Sequence, residues 1–233
     1  MAGACGSTAH RLEQNMAPNL ALCCRASQKS RIEDTSMQTQ SHFLITAAAL
    51  TPLRHRSWVD TTVVAALLLG AVLPDIPFFV LTVGGEVYYR WLASPPTTAS
   101  IMEYLHFTLF YHDPWWIVAH NFFHSLLING ALLLLGLWWW RQRASGWGKA
   151  LFWLAASMIV HVGIDIFTHR SDGPLIWFPV NWRYRFASPI SYWETDASGQ
   201  AFLTFEIALN LVLLAYLSYI YWPIVRQRWP RNM

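Results

Sequence analysis

The sequence predicts an all-α, polytopic helical membrane protein with four long spans and a short first apolar helix. Three observations predict it. Hydrophobic residues make up 55% of the 233 positions and charged residues only 12%, about half the roughly 25% typical of a soluble domain. Apolar runs long enough to cross a bilayer recur along the chain. The basic residues sit beside those runs instead of forming one stripe, which is a topology signal. With a net charge of only +3, that distribution also argues against a nucleic-acid partner.

Residues 1–36 are small and polar without apolar periodicity, and a disordered N-terminal extension is expected there. Met37 is a plausible alternative start. Residues 37–233 are expected to form a single helical membrane domain. Residues 43–53 make an apolar run too short to span, closed by Pro52 and by Arg54 and Arg56. Residues 58–83 are long enough, but Leu73-Pro74-Asp75-Ile76-Pro77 should kink or end the helix. A polar connection is expected over 84–114, followed by a third span over 115–140 that ends in Trp138-Trp139-Trp140. The fourth covers 149–167. After a connection over 168–201, residues 202–222 form the last, followed by Arg226, Arg228 and Arg231. All three cysteines, Cys5, Cys23 and Cys24, precede the apolar body, so its chemistry must come from His, Asp and Glu.

Orientation follows from the positive charges. If the spans alternate, Arg54, Arg56, Arg141, Arg143, Lys149 and the C-terminal arginines share one side, which is then cytoplasmic. Asp75, His124, His161 and Asp165, with His120, then gather at the opposite end, and His42 joins them if the first segment runs inward. The expectation is one polar pocket at the extracytoplasmic lipid boundary, roofed by the two long connections. His161, Asp165 and His169 recur every fourth residue, on one helix face. Imidazoles and carboxylates without thiols suit zinc or another divalent cation, and a metal-activated water makes hydrolysis the natural reaction class. Arg183 and Arg185 on the roof would suit a phosphate-bearing or other polar lipid head group.

Several short motifs carry a family resemblance. Ser41-His42, Leu73-Pro74-Asp75-Ile76, His124-Ser125-Leu126-Leu127, the run from His161 to Thr168, and Trp177-Phe178-Pro179 together resemble the YdjM-type, LexA-regulated family of inner-membrane-associated metal-dependent hydrolases. The resemblance covers most of residues 41–193. It implies a small helical membrane protein, a hydrolase, with His42, Asp75, His124, His161 and Asp165 binding the metal, of which His161 and Asp165 are assigned the catalytic role. His120 and His169 are supporting candidates.

Plainer roles stay open for the same residues. His161 with Asp165 can be a hydrogen bond tying two helices together. Asp75 can cap a helix, and His124, flanked by Asn121 and Ser125, can belong to a polar helix contact. His169 and Asp172 fall where solvated side chains are the default. A proton- or ion-coupled transporter would spread acids along the membrane depth, whereas here they collect at one end. A non-enzymatic scaffold would bind no metal.

Overall fold

The computed structural model describes residues 39–96, 100–190 and 197–228. The expected disordered extension and the alternative start at Met37 lie outside them. The described residues belong to one compact unit, Met37–Met233, and are mostly helical; 169–190 run in turns and bends with one isolated antiparallel bridge between Leu175 and Arg185. The main elements are α1 (Thr39–Leu50), α2 (Thr61–Gly70), α3 (Ile76–Trp91), α4 (Pro114–Asn121), α5 (Leu126–Arg143), α6 (Gly146–Thr168) and α7 (Ala197–Arg228).

Two helices, α6 and most of α7, are long and apolar enough to cross a membrane singly. The bent pairs α2 with Leu73–Trp91, and α4 with α5, pass the same test jointly, which allows up to four crossings. The first bend, 43°, falls where the sequence places it, because Pro74 and Pro77 withdraw two amide donors from the helical ladder. The second, 46° between α4 and α5, interrupts a stretch that reads as continuous. Polar side chains sustain it: Asn129 donates to the Phe123 carbonyl at 2.7 Å and Ser125 caps α5 by accepting from the Ile128 amide.

Helix α6 is the centre of the bundle and packs against α5 and α2. Both contacts bring backbones together at glycines. A Cβ on Gly70 would lie 2.5 Å from the Leu154 carbonyl oxygen, and one on Gly136 would lie 2.5 Å from the Phe152 nitrogen. Such small-residue seams are how apolar helices associate where lipid offers no hydrophobic drive. Ser157 adds a hydrogen bond to the Leu67 carbonyl at 2.7 Å. At one end of this core Lys149 pairs with Asp60, the N-cap of α2, at 2.6 Å. The His/Asp residues collect at the other end.

Helix α1 runs parallel to α7. Ser41 donates to the buried Glu206 at 2.5 Å and accepts from Asn210 at 2.9 Å; ten residues on, Thr51 meets Tyr216. The expected polar connection over 84–114 is largely helical. Helix α3 continues to Trp91, and helical turns including a π-helical stretch, Tyr104–Leu109, fill 101–112. Phe78 holds them together through edge contacts with His106, Phe110, Trp116 and His120 at 5.3–5.7 Å between centroids. The segment after α6 is pinned to the α4/α5 break: the Leu175 amide donates to Asn121 at 2.6 Å, and Ser125 donates to the Phe178 carbonyl.

Candidate metal centre

Each break in the helices delivers one member of the site. Asp75 closes the turn between α2 and α3, and His124 lies in the gap between α4 and α5. The unbroken α6 supplies His161 and Asp165 one turn apart on its buried face. His42 comes from the first turn of α1. All but Asp75 are buried, and the Asp75 side chain is 28% exposed.

Four donor atoms converge. His161 Nε2 stands 3.1 Å from Asp165 Oδ2 and 3.4 Å from Asp75 Oδ1. His124 Nε2 stands 3.2 Å and 3.3 Å from the same two oxygens. The two Nε2 atoms are 3.3 Å apart, and a ligand atom from each of the four residues lies within 4.8 Å of the others.

The backbone sets the protonation of these rings. His161 Nδ1 lies 2.8 Å from the Ala71 carbonyl, beside the first break, and His124 Nδ1 lies 2.6 Å from the His120 carbonyl, beside the second. A carbonyl can only accept, so each Nδ1 carries a hydrogen and Nε2 is the nitrogen turned inward, able to bind an ion when the ring is neutral. Two inward nitrogens then share two carboxylate oxygens, an arrangement that a divalent cation at their centre satisfies, as protons on the rings would in its absence. A tetrahedral ion with bonds of 2.0–2.1 Å separates its ligands by about 3.3–3.4 Å. Five of the donor separations fall at 3.1–3.4 Å, so the residues present fit a divalent metal. Thr39 completes the setting by donating to the other oxygen of Asp75 at 2.7 Å, as outer partners of ligating carboxylates do.

The remaining candidates separate. His42 stacks on His161 at 3.8 Å between centroids, but its Nε2 meets the other oxygen of Asp165, Oδ1, at 3.1 Å. His169 approaches that oxygen at 3.8 Å. It does not extend into solvent as a loop histidine would, because Asp172 bonds its Nδ1 at 2.6 Å and both side chains are nearly buried. Burial opposes a proton on His169, and Asp172 more than offsets this, raising its pKa. His120 stacks on His124 at 4.7 Å and has no donor atom in the cluster; its carbonyl is what holds the neighbouring ring. Arg185 donates to the carbonyls of Asp172 and Gly173 and lies over Phe110 and Tyr111. Burial lowers its pKa from the ordinary arginine value. Arg183 is exposed. Thr39, the Asp172 partnership and the carbonyls of Ala71 and His120 went unflagged in the sequence: the contacts of Thr39 and Ala71 join distant parts of the chain, and neither a backbone carbonyl nor a loop carboxylate announces its partner.

Comparison with known proteins adds one finding. The family model described as YdjM inner membrane protein matches residues 37–229. No curated protein and no solved structure matches the chain.

Proposed function

From the premise that this chain belongs to the YdjM inner membrane protein family and is a multi-pass integral protein of the inner membrane, we propose that it is a metal-dependent hydrolase acting on a phosphoester or other ester, possessed by a membrane lipid. Asp75, His124, His161 and Asp165 would be the ligand set, with His161 and Asp165, one turn apart on α6, as the catalytic pair. Zinc suits this thiol-free set of two nitrogens and two oxygens. Such an ion supplies a bound water acidic enough to act near neutral pH, and it polarises an ester oxygen.

The protein's own part is orientation and exclusion of water. Carbonyls of two helix breaks aim the imidazoles, and burial shields every ligand except Asp75. The partly exposed Asp75 edge is therefore the side of approach. On the reading that the arginine-rich end is cytoplasmic, this edge opens at the outer face of the membrane, where a lipid head group resides. Arg183, exposed on the segment above, would meet a phosphate there, whereas Arg185 is held by the Asp172 and Gly173 carbonyls and would have to leave them to do so.

The observation that carries the reading is the convergence of two imidazole nitrogens and two carboxylate oxygens at the separations that a tetrahedral ion spans. The test is hydrolysis by detergent-purified, metal-loaded protein. Bis(p-nitrophenyl) phosphate and vesicles of phosphatidylethanolamine with phosphatidylglycerol serve as probes. Turnover by wild type that disappears in Asp165→Ala and on chelation is expected. Metal-bound protein inert toward both probes and toward carboxylesters would favour a transporter or a scaffold that uses the cluster structurally.

A further inference from the structure

The ligand set above uses only one oxygen of Asp165. Oδ2 faces His124 and His161; Oδ1 points the other way, 3.1 Å from His42 Nε2 and 3.8 Å from His169 Nε2. The logic of the first site applies again at His169. Asp172, bonded to Nδ1 at 2.6 Å, accepts from it, which leaves Nε2 as the nitrogen turned toward the Asp165 carboxylate and the one able to bind an ion. A carboxylate holding the far nitrogen of an imidazole is the usual support for a metal-bound histidine, fixing its tautomer and raising its basicity. Two ligands on one ion with bonds of about 2.0–2.1 Å can be separated by anything up to about 4.2 Å, and both distances to Oδ1 fall within that span.

We propose that Asp165 bridges two divalent cations, the second held by its Oδ1 with His42 and His169, and with Asp172 orienting His169. The inference rests on the metal-site reading above and deepens it. It takes His42 out of the first ligand set and gives His169, on the residue that ends α6, a direct role. The two positions differ in how firmly the protein holds them. The first has four protein donors and two imidazoles whose tautomers are fixed by backbone carbonyls. The second has three, and the Nδ1 of His42 is buried without a hydrogen-bond partner, so that ring is placed by its stack on His161 with no hydrogen bond to fix its tautomer. The second ion therefore leaves first under chelation.

The experiment is metal stoichiometry on detergent-purified full-length chain dialysed against excess zinc, with His169→Gln, His42→Gln and Asp165→Ala compared. Two ions per chain in wild type, one in each histidine variant and none in Asp165→Ala are expected, and the ion left in the histidine variants certifies that they remain folded. Manganese-loaded protein adds a second readout. Ions sharing one carboxylate lie about 3.5–4 Å apart and give an exchange-coupled paramagnetic resonance spectrum, which His169→Gln converts to that of an isolated ion. A wild type that saturates at one ion, or a second ion that survives both histidine substitutions, overturns the bridge while leaving the first site intact. No ion at all overturns the first site and the bridge with it.

Discussion

Replacing Thr39 with valine isolates the support of the site from the site itself. The hydroxyl donates to Asp75 Oδ2 at 2.7 Å and leaves Oδ1 to face both imidazoles. Valine keeps the shape and removes the donor, and Thr39 stands at the start of α1, where its packing is limited. Losing an outer partner of a metal ligand costs roughly 10- to 100-fold in affinity, equivalent to about 1.4–2.8 kcal/mol at 1.4 kcal/mol per factor of ten. Asp75 is the most exposed ligand, so water replaces part of the lost bond and the expected weakening lies near the tenfold end. The assay is competition against a chromophoric chelator in detergent, with the melting temperature followed in parallel. An unchanged zinc affinity would refute the argument that Thr39 aims Asp75. So would a loss as complete as that of Asp75→Ala, because Thr39 would then be needed for the fold.

Other consequences concern the bundle. Gly70→Ala forces a Cβ to within 2.5 Å of the Leu154 carbonyl oxygen and should cost about 1–3 kcal/mol through separation of α2 from α6, read as a lowered unfolding midpoint in detergent; an unchanged midpoint means the seam gives freely. Ser41→Ala removes the 2.5 Å hydrogen bond to buried Glu206 and should destabilise by about 1–3 kcal/mol, with Ser41→Thr recovering most of it. At the opposite end, hydrogen bonds from Lys149 and then from the Val63 amide hold the Asp60 carboxyl below its ordinary pKa. Its contribution is complete above the ordinary carboxylate range and fades as pH falls through the lowered value. Asp60→Asn should flatten that acid limb of a stability curve measured against pH, and an identical limb in the variant would contradict the assignment.

Much of this architecture was legible because one periodicity and one break signal carry it. The four-residue spacing of His161 and Asp165 dictates a shared helix face, and α6 places them so. The prolines flanking Asp75 foretell a break, and the break is what frees the Ala71 carbonyl to hold His161. The α4/α5 bend was not legible, since no glycine or proline marks residues 122–125. It depends on Asn129 and on contacts from Asn121 and Ser125 to a segment some 50 positions away. The role of Asp172 was hidden for the same reason: a loop carboxylate is solvated by default, and only the fold of 169–190 over the helix ends buries it against His169. The helical turns after α3 likewise owe their order to Phe78 and its aromatic neighbours more than to local propensity.

The central claim is that four side chains from three parts of the bundle hold one divalent cation. Metal analysis of purified protein tests it most directly, with wild type compared with His161→Ala, Asp165→Ala and, as a control, His55→Ala, whose exposed ring lies beside Arg54. Wild type and the His55 variant should carry tightly held metal that survives dialysis, and both site variants should lose the ion of the four-residue set. Equal and negligible metal in all four proteins would contradict the account.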